Sequence, residues 1–73
     1  MYCSTNGNAV SVFNDNGGLV RKISFGGPVE SAYMNGDDKV VITYSEGHPK
    51  LGPRSRYTAL YETSGRLIRK TSC

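Results

Sequence analysis

The feature that most constrains this chain is that it nearly repeats itself. Residues 10–24 read VSVFNDNGGLVRKIS and residues 58–72 read TALYETSGRLIRKTS, and the two align without a gap. Gly17 matches Gly65, Leu19 matches Leu67, Arg21 matches Arg69, Lys22 matches Lys70 and Ser24 matches Ser72. Val12/Leu60, Phe13/Tyr61 and Val20/Ile68 are conservative pairs. Each copy runs from an apolar alternation, through a turn glycine that tolerates positive φ, into a second apolar run, which is the pattern of a β-hairpin. A fold for this chain must therefore hold the same hairpin at both ends, and units recurring in this way belong to stacked or radial architectures.

The sequence between the copies is also β-type. Short β-branched and aromatic runs alternate with Gly, Asn, Asp and Ser clusters, and no stretch keeps a helical period for three turns without Gly or Pro. Six strands are expected, at 9–14, 19–25, 29–34, 39–45, 56–62 and 66–72. Asn35-Gly36 reads as a hairpin turn whose twist matches its strands. The longest loop, 46–55, holds Pro49 and Pro53 and separates the fourth strand from the fifth. The expected fold is one all-β domain over 1–73, a meander of hairpins at 9–25, 29–45 and 56–72.

Those strands carry the elements of a known repeat. The pattern apolar-x-apolar-aromatic, turn, Gly-x-Leu-apolar-Arg resembles the third and fourth strands of a β-propeller blade of the WD40-like and related bacterial types, and residues 29–44 resemble the first and second. The resemblance implies one blade over 29–72, with 9–24 as the outer half of a preceding one. No Trp-Asp or Gly-His signature accompanies it. One and a half blades cannot close a ring, and such units need about three repeats to stand alone.

Size sharpens the problem. A chain of 73 residues buries only about 60% of its unfolded surface and needs a staple or a partner. Its large anchors are Phe13, Phe25, Tyr33, Tyr44, Tyr57 and Tyr61, and it has no Trp. Val40, Ile42 and Tyr44 share one strand face while Val41 lies on the other, so both faces require cover, as when sheets stack. A homo-oligomer is expected, most simply a two-fold dimer, with Phe13, Tyr33, Tyr44 and Tyr61 as candidate interface residues. The monomeric alternative is a small six-stranded barrel, which removes both sheet edges by closing on itself. Cys3 and Cys73 sit at opposite ends and read either as unpaired thiols on frayed termini or as a disulfide within or between subunits. Two Cys and one His do not make a zinc site of the usual spacing, and no cofactor is expected.

The net charge of +3 is unevenly placed. From Lys50 onward Lys50, Arg54, Arg56, Arg66, Arg69 and Lys70 stand against Glu62 alone. Such asymmetry fits an anionic partner, or complementary surfaces meeting between subunits. Candidate binding residues are His48, Lys50, Arg54, Arg56 and Tyr57, in and beside the longest loop. The pairs Arg21/Lys22 and Arg69/Lys70 read as guards of edges or solvent faces. His48 has no Cys, Asp or Ser placed beside it to complete a catalytic set, so the chain reads as a non-enzyme, with a small enzyme using His48 as one alternative and nucleic-acid or anion binding through the basic C-terminal third as another. No apolar run spans a membrane and no leader is visible, and the Met1 start points to a cytoplasmic product.

Overall fold

A computed structural model describes residues 1–36, 38–46 and 55–72. The strands are β1 (Tyr2–Asn6), β2 (Ala9–Phe13), β3 (Leu19–Ser24), β4 (Val29–Met34), β5 (Lys39–Glu46), β6 (Ser55–Glu62) and β7 (Leu67–Ser72). All neighbours pair antiparallel, in a three-stranded sheet ordered β1-β2-β3 and a four-stranded sheet ordered β4-β5-β6-β7. No helix and no closed barrel occur among the described residues, so the six-stranded barrel is excluded. Closure fails because the chain steps from one sheet to another at 25–28 instead of pairing β3 with β4.

That step is pinned by the backbone. Phe25 N donates to Asn8 O at 2.8 Å and Val29 N to Gly7 O at 2.9 Å, so both ends of the crossing are tied to the β1–β2 turn. Gly27 sits hard against β5 there, and a Cβ at this position would fall 1.9 Å from the Ser45 carbonyl oxygen. Only a residue without a side chain allows the approach.

The sequence reading missed β1 and treated residues 2–6 as a frayed terminus. Gly7-Asn8 joins β1 to β2 as a two-residue turn, with φ +61° at Gly7 and no positive φ at Asn8, the pattern of a II′ hairpin. The expected hairpin between β4 and β5 forms, with its loop between Met34 and Lys39, but its turn geometry is not the one Asn35-Gly36 suggests. Gly36 has φ +80° but no described non-glycine residue has positive φ, and Asn35 N bonds Lys39 O at 2.9 Å, so the loop is wider than a two-residue I′ turn.

The repeat is a structural one down to its irregularities. Ala9 pairs with Ser24, Val10 with Ile23, Ser11 with Lys22, Val12 with Arg21 and Phe13 with Leu19. In the second sheet Tyr57 pairs with Ser72, Thr58 with Thr71, Ala59 with Lys70, Leu60 with Arg69 and Tyr61 with Leu67. The register shifts at Val12/Phe13 and again at Leu60/Tyr61, leaving Val20 and Ile68 as the extra residues of matching bulges. Both turns are closed alike: Asn14 N to Gly18 O at 2.9 Å with Gly17 N to Asn14 O at 3.0 Å, and Glu62 N to Arg66 O with Gly65 N to Glu62 O, each at 2.8 Å. Gly17 and Gly65 take φ +84° and +99°, the left-handed position of a three-residue hairpin loop.

The core lies between the sheets. Val10, Val12 and Ile23 of the first meet Val40, Ile42, Tyr44 and Ala59 of the second, with Cys3, Phe25, Val29, Ala32, Met34, Tyr57 and Tyr61 packed around them. Val10, Val12, Val40 and Ile42 are wholly buried. No helix among the described residues is long and apolar enough to cross a membrane.

Candidate binding site

Alternation along β5 and β6 sends Tyr44 and Tyr57 to the inter-sheet side, where they pair across the strands. Their rings lie 5.8 Å apart. Phe25, at the sheet-to-sheet step, packs on Tyr44 at 4.3 Å and meets Tyr61 edge-on at 5.8 Å. The result is an aromatic group at the end of the second sheet, at the strand ends that flank residues 47–54.

Lys70 completes it. On β7 it stands opposite Ala59, whose small side chain leaves room for the lysine stem. Its ammonium lies 4.2 Å from the Tyr57 ring centroid, 5.8 Å from that of Tyr44 and 4.0 Å from the Glu46 carboxylate. A hydrogen bond with Tyr44 raises the Lys70 pKa above its ordinary value, with Tyr44, Glu46 and Tyr57 adding to the effect electrostatically. Burial pushes the Tyr61 hydroxyl up, helped by Tyr44. Lys70 is an exposed residue of the edge strand β7, in keeping with its reading as a guard of an edge or solvent face, and its ammonium also reaches over the tyrosine rings. The cue in the sequence was the alanine opposite it, which has no meaning until the register is known.

The expected site residues separate. Arg56 and Tyr57 stand beside this group, Arg56 with its guanidinium Nε on the Glu30 carboxylate. His48, Lys50 and Arg54 lie outside the described residues. Of the expected interface residues, Tyr44 is 2% exposed and is spent between the chain's own sheets, as is half-buried Tyr61. Phe13 and Tyr33 lie on the two outer faces instead. Phe13 stacks on Tyr2 with centroids 5.2 Å apart, and Tyr33 is 59% exposed.

Much of the described basic charge is matched locally: Arg56 by Glu30, Arg66 by Glu62 at 2.6 Å, Lys39 by Asp38 at 3.1 Å and Lys70 by Glu46. The described residues enclose no pocket and hold no cluster of metal-ligating side chains. Cys3, placed on the frayed terminus by the sequence, is a half-buried strand residue, a free thiol among the described residues, with its pKa raised by burial. Cys73 lies outside them. Comparison with protein-family models, with curated proteins and with solved structures finds no match.

Proposed function

We propose that this chain is a non-enzymatic interaction module that works as a homo-oligomer of β-sheets, its two sheets being successive units of a radial repeat like the blades of a β-propeller. The observation that carries this reading is the apolar surface left on the outer faces. Tyr2 is 50% exposed, Leu19 60% and Tyr33 59%, in a chain whose buried core is confined to one sheet-to-sheet contact. Exposed aromatics set in rows across a sheet are the composition of an interface rather than of a solvated face. The repeated register and bulge support the radial part of the reading.

Contact with a further partner falls on Arg56 and Tyr57 at the start of β6, together with His48, Lys50 and Arg54 of the sequence between β5 and β6. Two arginines of the basic C-terminal third, Arg56 and Arg66, already stand on carboxylates, which reduces the charge on offer to a nucleic-acid partner, though such exposed pairs are weak. We place the protein in the cytoplasm as part of this reading.

The solution mass tests it. Sedimentation equilibrium at micromolar concentration, with and without reductant, is expected to give a multiple of the 7.9 kDa chain in both conditions. A monomer throughout would defeat the reading. Salt-sensitive retention on heparin at low ionic strength would move the assignment to anion binding.

A further inference from the structure

The two sheets are equivalent in register, yet they do not use equivalent faces against each other. In the first sheet the covered rows are Cys3-Val12-Arg21 and Thr5-Val10-Ile23. Their counterparts in the second sheet are Val41-Leu60-Arg69 and Thr43-Thr58-Thr71, which lie on the side away from the core. The second sheet instead covers its opposite face, through Val40-Tyr61-Leu67, Ile42-Ala59-Lys70 and Tyr44-Tyr57-Ser72. Of the counterparts of those rows in the first sheet, Tyr2-Phe13-Leu19 and Ser4-Ser11-Lys22 face outward, while in the third, Asn6-Ala9-Ser24, Ala9 is buried. Within one chain, then, a front face is packed on a back face. The chain ends with one unused face of each kind.

We infer that a second copy of this chain packs its Tyr2-Phe13-Leu19 face onto the Tyr33-Val41-Leu60 face of the first, repeating head to tail the contact already present inside the chain. This rests on the homo-oligomer proposed above and replaces its simplest geometry, a two-fold contact between like faces. The occupant is specified because the protein already shows what covers a front face of this repeat, namely a back face of the same repeat. The surfaces suit one another. Tyr33 is paired with Val41 and Val41 with Leu60 in one apolar row across the sheet, and Tyr2 and Phe13 are stacked beside exposed Leu19. The rim repeats as well. Inside the chain Arg21 lies over the turn at Gly65. Its counterpart Arg69 would lie over the matching turn at Gly17, beside the Asp15 carboxylate, which is 90% exposed although one of its oxygens already accepts from the Met1 ammonium. A contact of unlike faces leaves a free face of each kind at every step, so it propagates, closing into a ring where its rotation closes and otherwise running on as a filament.

Two face-blocked variants test this. One carries Tyr33→Asp and Leu60→Glu, the other Tyr2→Asp and Leu19→Glu, each checked for native circular dichroism. Each alone is expected to sediment as a monomer. Mixed in equal amounts they are expected to give a 1:1 dimer and nothing larger, because one intact front face and one intact back face remain. If either variant alone keeps the wild-type mass, or if the mixture stays monomeric while the wild type assembles, the head-to-tail contact is wrong and the homo-oligomer survives in another geometry. A monomeric wild type removes both. Tyr33→Asp and Leu19→Glu as single variants repeat the test with side chains 59% and 60% exposed, whose replacement leaves the core untouched.

Discussion

Arg21 of the first sheet lies across Gly65 of the second, so close that a Cβ on that glycine would stand 3.1 Å from the arginine Nε. One repeat thereby closes over the turn of the other. Gly65 also has φ +99°, a conformation that side chains other than glycine adopt at a cost. Gly65→Ala is expected to lower the unfolding free energy by about 1–3 kcal/mol, read from urea denaturation. Gly17→Ala meets the same backbone strain with φ +84° but only the Tyr2 hydroxyl, at 3.7 Å, so its loss should be the smaller. Equal losses would show that the arginine contact adds nothing.

Among the described glycines, Gly27→Ala should be the most damaging substitution. The new Cβ meets the backbone of β5, which cannot swing aside as a side chain can. Displacing packed structure costs about 1–3 kcal/mol or more, and here it would also break the bond from Ser45 N to Pro28 O. Gly7→Ala, with open space around it, should suffer only from its φ of +61°. A Gly27→Ala protein as stable as the Gly7→Ala one would mean that the step between the sheets is placed wrongly.

Ile42 is wholly buried at the centre of the contact between sheets. Ile42→Ala is expected to cost about 2–5 kcal/mol, enough to unfold much of a small domain. Tyr33→Ala, on the outer face, should change the stability of the isolated subunit by less than about 0.5 kcal/mol. Thermal melts at a concentration below assembly separate the two. The expected order is lost if Tyr33→Ala melts lower than Ile42→Ala.

Stability should fall at both ends of the pH scale, for opposite reasons. Cys3, Tyr61 and Lys70 have folded pKa values above their ordinary ones. The folded state thus holds these protons more tightly than the unfolded one, and the stability they contribute is complete below the unfolded values and lost as pH rises through the folded values. The decline should start near the ordinary thiol value of about 8.5 and continue beyond the ordinary lysine value of about 10.4. Asp15 is the reverse. Its carboxylate accepts a 2.7 Å bond from the Met1 ammonium, which lowers its pKa first by hydrogen bonding and then by charge. Its contribution is present above the ordinary Asp value of about 3.9 and lost as pH falls through the lowered one. Urea midpoints between pH 3 and pH 11 read both limbs. A Cys3→Ser variant should delay the start of the alkaline decline.

The strand positions after residue 8 were legible in the sequence because alternation and turn residues act locally. Val10 and Val12 announce one face of β2, and Gly17 and Gly65 announce their turns. β1 escaped because Tyr2-Cys3-Ser4-Thr5-Asn6 has little apolar alternation. It is held by its hairpin partner and by the crossing at Phe25 and Val29, neither of which shows in its own residues. The binding residues were half legible. Tyr57 and Arg56 could be singled out by type and place, whereas Lys70 joined them only once register set it opposite Ala59.

The sequence by itself determined an all-β chain whose end hairpins are copies, since pattern, turn glycine and spacing coincide in both. It could not decide which side of each copy is covered. Val12 and Leu60 hold the same place in the repeat, yet Val12 is wholly buried and Leu60 only partly. The difference is tertiary, because the step at 25–28 lays a front face on a back face. A side chain's alternation fixes which face it shares, but only the packing of one sheet on another fixes which face leaves water.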